Sequence, residues 1–124
     1  MSKMRKRVLI IEDEKPIARA LELKLRSVGI DAQNVFDGEE ALEVLQKEHF
    51  DHIILDLVMP KLDGFGVLRE LKTRNDKTPV TVISHLSQPE DVKRVRELGI
   101  TDYFVKSDVP IAEVVGHIRD ALKT

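Results

Sequence analysis

His52-Ile53-Ile54-Leu55-Asp56-Leu57-Val58-Met59-Pro60 decides the fold. Three apolar residues run straight into a carboxylate, and Pro60 ends the run. A short apolar run closed by a turn signal is the pattern of a strand buried in a parallel sheet. In open α/β sheets, ligands bind in the crevice beyond the carboxyl ends of the strands. Asp56 stands at such an end. Its chemistry therefore depends on what else the chain brings there.

Outward from Asp56 the same unit repeats. Val8-Leu9-Ile10-Ile11 is a buried strand that ends in Glu12-Asp13-Glu14. Pro16 suits the first turn of a helix, Ile17, Leu21, Leu25 and Val28 recur at helical spacing, and Gly29 closes it. Ala32 to Phe36 mixes polar and apolar residues, as an edge strand does, and Asp37-Gly38 leads into a helix with Ala41, Leu42 and Leu45 inward. After Asp56, Asp63 is a good N-cap for a helix carrying Val67, Leu68 and Leu71. Gly64-Phe65-Gly66 lacks the third glycine of a dinucleotide fingerprint, and Gly64 reads as a turn residue. A fourth strand, Val80 to Ile83, ends at Ser84, and Ser87 or Gln88 with Pro89 starts a helix through Val92, Val95 and Leu98. A fifth strand, Asp102 to Val105, ends at Lys106, and Asp108 with Pro110 starts a last helix. Strand–helix alternation of this kind predicts a parallel sheet with helices on both faces.

Composition narrows the class. A chain of 124 residues with no linker or low-complexity tract reads as a single domain over 1–124, with no effector domain. There is no cysteine, which excludes disulfides, thiol catalysis and cysteine-based zinc sites and fits a reducing cytoplasm. No apolar run approaches the ~20 residues of a membrane helix, and the basic start, Met1 to Arg7, leads into too short an apolar run for a secretory signal. The net charge of −2 gives no electrostatic footprint for nucleic acid. Lys93, Arg94 and Arg96 read as a solvated helix face rather than a DNA contact, and the four histidines are scattered.

One rim of the predicted sheet gathers Glu12, Asp13, Asp56, Ser84 and Lys106. Carboxylates this close repel unless a cation sits among them. Hard oxygen ligands suit Mg²⁺, which keeps positions open for phosphate oxygens. A lysine opposite supplies a second positive charge, and a serine hydroxyl can donate to the same anion. Phosphoryl transfer needs mainly positioning and charge neutralisation, and a carboxylate nucleophile becomes an aspartyl phosphate.

With these residues the chain resembles the receiver domains of bacterial two-component response regulators, of the chemotaxis-regulator type. The motifs are Glu12-Asp13 after the first strand, Asp56-Leu57-Val58-Met59-Pro60-Lys61-Leu62-Asp63-Gly64 after the third, Ser84 after the fourth and Tyr103-Phe104-Val105-Lys106 at the fifth. The resemblance implies a flavodoxin-like (βα)5 sandwich with strand order 2-1-3-4-5. It implies Asp56 as phosphoacceptor, and Asp13, Asp56 and the Val58 carbonyl as ligands of Mg²⁺ or Mn²⁺, with Glu12 acting through metal-bound water. It implies that Lys106 pairs with the phosphoryl group, that Ser84 moves to hydrogen-bond it, and that Tyr103 turns inward. The signal then reaches an output partner through the face formed by the fourth helix, fifth strand and fifth helix. The donor is a histidine kinase or a histidine phosphotransfer protein. Such a cytoplasmic switch catalyses only its own phosphorylation and dephosphorylation and does not turn over external substrates. A phosphorylation-dependent dimer through the same face is compatible with it, and no sequence feature selects for or against one.

Two other readings compete. A phosphohydrolase with an aspartate nucleophile carries Asp-x-Asp, and Asp56-Leu57-Val58 lacks the second acid. A receiver-like interaction scaffold that takes little or no phosphate would not need the complete set of Glu12, Asp13, Asp56, Ser84 and Lys106. Two departures from the family pattern favour the scaffold. Ser107 follows Lys106 where the family usually has proline, which predicts a more mobile loop, and His85 follows Ser84 where it usually has a small residue, which predicts crowding of small donors. Val58 and Leu86 are set to flank the path of a hydrolytic water, and neither can orient one. The aspartyl phosphate is therefore expected to be long-lived, and Val58→Asn combined with Leu86→Glu is expected to shorten its half-life; a half-life unchanged or lengthened in a decay measurement refutes this role for the two positions.

Overall fold

The computed structural model describes residues 5–123; the first four residues of the basic N-terminal stretch and Thr124 lie outside it. The elements alternate without exception: β1 (Arg7–Ile11), α1 (Lys15–Ser27), β2 (Asp31–Val35), α2 (Gly38–Lys47), β3 (His52–Leu55), α3 (Gly64–Thr73), β4 (Val80–Ser84), α4 (Pro89–Glu97), β5 (Asp102–Val105) and α5 (Ile111–Ala121). All strand pairs are parallel, in the order β2-β1-β3-β4-β5. This is the flavodoxin-like order, with β2 at one edge as its mixed composition predicts.

The period of two along a strand explains the two cores. Leu9 and Ile11 of β1, Ile53 and Leu55 of β3 and Val82 of β4 point to one face. There they meet Ala41 of α2, Val67, Leu68 and Leu71 of α3 and Val95 of α4. The intervening residues Val8, Ile10, Ile54 and Ile83 point to the other face, against Leu21 and Leu25 of α1 and Val115 and Ile118 of α5. A strand buried on both faces must be apolar throughout, which is why β3 reads as an unbroken run.

Local chemistry sets the helix starts. The side chain of Asp37 accepts the Glu40 amide at 2.8 Å, and that of Asp63 accepts the Gly66 amide at 2.9 Å. Each satisfies a donor that a helix N-terminus leaves without a partner. α4 and α1 carry proline in the first turn and have no side-chain cap. Gly29, just past α1, has φ +84°, a left-handed conformation that glycine adopts without strain.

The ladder also aligns the strand ends. Asp56 N–H donates to the Ile11 carbonyl at 2.9 Å, and Lys106 N–H donates to the Ser84 carbonyl at 2.8 Å. Residues 12 and 56 therefore lie side by side at the carboxyl rim, and Lys106 directly follows Val105, the partner of Ser84.

His52, the first residue of β3, is buried, and its Nε2 lies 2.7 Å from Thr81 Oγ1. Burial pushes the ring down to about 4, against the ordinary 6.5. Between those values the unfolded chain binds the proton that the folded chain refuses, so this residue removes stability as pH falls through that window. From pH 7.5 to pH 5 the loss is about 2 kcal/mol. Urea unfolding at the two pH values should show wild type losing about that much more than His52→Gln; equal losses would contradict a buried neutral imidazole.

Candidate functional site

Three strand ends converge on one acidic cluster. Ligand oxygens of Glu12, Asp13 and Asp56 all lie within 4.8 Å of one another. Glu12 and Asp56 are buried, held by the last ladder bonds of β1 and β3. Lys106, carried past the end of β5, brings the ammonium. Its Nζ is 2.7 Å from Glu12 Oε1 and 3.4 Å from Asp56 Oδ2. The Glu12 contact is an ion pair off the alignment of a hydrogen bond, leaving that oxygen without a hydrogen-bond partner.

A third carboxylate contacts the Lys106 ammonium. Glu14 Oε2 lies 2.5 Å from Lys106 Nζ and 3.3 Å from His85 Nε2. The Glu14 amide donates to Glu12 Oε2 at 3.0 Å. Sequence reasoning passed over Glu14 and took only Glu12 and Asp13 from the first strand end. The run Glu12-Asp13-Glu14 was the available signal, but side-chain direction in a loop is not written in a sequence.

The electrostatics follow from crowding and burial. Burial raises Glu12 to about 7, from an ordinary 4.5, against the opposing pull of Lys106. Burial also raises Asp56, again opposed by the Lys106 charge and by the Val58 amide, which donates to Asp56 Oδ1 at 3.4 Å. Burial works against the Lys106 ammonium, but its pairing with the Glu12 and Glu14 carboxylates more than reverses that and raises it. The Lys106 bond lowers Glu14. One ammonium thus faces more carboxylate charge than it balances.

Asp13 Oδ1 is buried and without a hydrogen-bond partner. An acceptor in that state costs desolvation that only a donor or a cation returns. The donor set is all oxygen, which suits Mg²⁺ or Mn²⁺ rather than a softer ion. Glu12, Asp13 and Asp56 are the side chains that could hold it.

Glycine 64 shapes the floor of the site. It opens α3 and donates its N–H to the Leu57 carbonyl at 2.9 Å. A Cβ there would lie 2.7 Å from Leu57 Cα and press on the Asp56 carbonyl. Gly64 is thus required by close backbone approach under Asp56, and not as the turn residue that the sequence suggested.

The remaining site residues fall in different places. Ser84 is fully buried, and its Oγ accepts the Leu86 amide at 3.1 Å. Tyr103 is half-buried, and its hydroxyl donates to the Leu86 carbonyl at 2.7 Å. The Leu86 side chain packs against the core on the α3 side of the sheet, whereas Val58 is 59% exposed. His85 is largely exposed and turned to Glu14. Among the described residues every peptide bond is trans, the Lys106–Ser107 bond included.

The family model of the response regulator receiver domain matches residues 8–118. This chain belongs to the response regulator receiver domains. It is 41% identical over 119 residues to the probable transcriptional regulator ycf27 of Porphyridium aerugineum, covering 96% of this chain and 49% of that protein. The chain spans about half the length of the ycf27 relatives it matches. Among solved structures it resembles the receiver domain of the Francisella response regulator 1452 (33% identity, TM-score 0.86, 94% of this chain and 95% of that one). It also resembles the phosphorylated cyanobacterial phytochrome response regulator RcpA (27% identity, TM-score 0.81, 95% and 91%). Receiver domains are signalling modules of two-component systems, and their acidic pocket generally binds Mg²⁺. No helix among the described residues is long and apolar enough to cross a membrane.

Calorimetric titration with Mg²⁺ is expected to show one site, and Asp13→Asn should weaken it by about tenfold or more, the scale seen even for groups that only support a ligand; equal affinity in the variant would remove Asp13 from the ligand set.

Proposed function

We propose that this receiver domain is a phosphorylation switch with Asp56 as its acceptor. The observation that carries the reading is the placement of Asp56. It is a buried carboxylate at a strand end, within one acidic cluster with Glu12 and Asp13 and 3.4 Å from the Lys106 ammonium. The donor is a phosphohistidine on a sensor kinase or phosphotransfer protein. A carboxylate oxygen of Asp56 attacks phosphorus, the phosphorus–nitrogen bond breaks, and the leaving imidazole takes up a proton. Glu12, Asp13, Asp56 and the Val58 carbonyl would hold Mg²⁺ or Mn²⁺, which would supply positive charge for the phosphoryl oxygens. Lys106 neutralises the same group from the side of β5.

The read-out starts at Ser84. Its Oγ holds the Leu86 amide, and Tyr103 holds the Leu86 carbonyl. If Ser84 turns to a phosphoryl oxygen, the first bond breaks and the segment under Tyr103 is released. The change then reaches the surface made by α4, β5 and α5, where an output partner or a second copy binds. The domain carries this out in the cytoplasm and turns over no external substrate. Val58 is exposed two residues after Asp56, and its lack of a polar group supports slow hydrolysis more directly than Leu86, which packs against the core.

With Mg²⁺ and acetyl phosphate, intact-mass measurement should show one added phosphoryl group on the parent protein and none on Asp56→Ala. An adduct that persists in Asp56→Ala would move the acceptor elsewhere; no adduct from acetyl phosphate or from a phosphohistidine donor would favour the non-phosphorylated scaffold.

A further inference from the structure

Glu14 is the side chain at this rim that the switch as described does not use. It stands immediately before α1, in the N-cap position, with an extended backbone (φ −79°, ψ 101°). Its side chain makes no cap bond to the helix. Its carboxylate instead spans from the β1 loop to Lys106 and to His85, on the opposite side of the sheet's centre. One oxygen, Oε2, makes both contacts.

The Lys106 ammonium therefore has two close anions of different kinds. Glu12 is buried and fixed. The Glu14 side chain is 43% exposed, on a flexible stem whose alternative is water. Surface carboxylates of this kind exchange an ion pair for solvent at small cost. A phosphoryl group on Asp56 brings about two negative charges and three acceptor oxygens. It cannot share the ammonium with Glu14 without like-charge repulsion. One of the two anions must leave, and burial decides that it is Glu14.

We propose that Glu14 is a tethered anionic place-holder in the phosphoryl site, which small phosphodonors and phosphate mimics must displace before they bind. The proposal rests on the phosphorylation reading above and adds a selectivity element to it. In the unphosphorylated domain, Glu14 keeps Lys106 and His85 occupied. A free dianion competes with a carboxylate already in place, at the high effective concentration that a tether confers. Once Glu14 leaves, two nitrogen groups are released at the mouth of the site: the Lys106 ammonium and the His85 ring. His85 is then a partner for a phosphoryl oxygen rather than an obstacle.

The test uses beryllofluoride with saturating Mg²⁺ as the probe, followed by NMR of the backbone amides, and acetyl phosphate followed by intact mass. The variants are Glu14→Gln, which keeps the size and removes the charge, and Glu43→Gln, which removes the same charge from an exposed site on α2. Glu14→Gln is expected to bind beryllofluoride about fivefold tighter and to take phosphate from acetyl phosphate faster by a similar factor. Glu43→Gln should match wild type in both. Uptake by Glu14→Gln alone, with wild type inert, would support the place-holder more strongly still. Beryllofluoride affinity unchanged or weakened in Glu14→Gln, with wild type competent, overturns the place-holder and leaves the switch standing. A gain shared equally by Glu43→Gln also overturns it, because net charge alone would then be the cause. If neither wild type nor Glu14→Gln takes either probe, the place-holder is overturned, because removing Glu14 would then open nothing, and the switch is decided by the phosphohistidine donor.

Discussion

A single buried ammonium among carboxylates sets the terms for the rest of this molecule. Lys106 contacts Glu12, Glu14 and Asp56, and Asp13 stands beside them with a buried oxygen that no donor reaches. Ion pairs taken out of water recover their desolvation cost only when charges balance and lone pairs are satisfied. Here neither condition is met by the protein alone. The raised affinity of Glu12 and Asp56 for protons expresses that deficit, and burial is its main cause. A site built in this way attracts cations, and its balance changes when an anionic group arrives.

The surrounding fold holds that imbalance in place. Ladder bonds continue one residue past the strands, so the charged side chains start from rigid backbone. The loop between β3 and α3 is pinned at both ends. Gly64 packs onto the Asp56–Leu57 peptide, and a Cβ on Gly38 of α2 would strike the Leu62 carbonyl. Asp63 caps α3 in the same stretch, and Lys61 within it takes a left-handed φ of 66°. Tight backbone packing beneath the acceptor contrasts with the exposed side chains at the mouth: Val58, His85 and Glu14. The rigid parts fix where charge sits, while the exposed ones are free to change partners.

The chain Ser84–Leu86–Tyr103 has a similar division. It consists of two hydrogen bonds to one residue, each worth about 1 kcal/mol, so it can be rearranged at modest cost. The Leu86 side chain, by contrast, is seated against the core. A segment whose backbone bonds are exchangeable and whose side chain is anchored can take two arrangements without losing its place.

Most of this architecture was legible in the sequence, because the period of hydrophobicity and the turn residues are local properties. The unbroken apolar run of β3, the proline starts of α1 and α4, the Asp37-Gly38 turn and the Asp63 cap each report a local rule. The mixed residues of Ala32 to Phe36 placed β2 at the edge for the same reason. Glu12, Asp13, Asp56, Ser84 and Lys106 could be gathered because parallel strands put all their carboxyl ends on one rim. Tertiary structure decided what depends on direction and distance. It turned Glu14 away from its helix, which it does not cap, and onto Lys106 and His85. It made Gly64 a requirement of close approach, seated Leu86 against the core and left Val58 open. It also placed His52 where water cannot reach it, since only the packing of β3 and β4 brings Thr81 to its ring. A sequence names the charges at a rim; which of them meet is settled by how far each side chain reaches once the sheet has fixed its backbone.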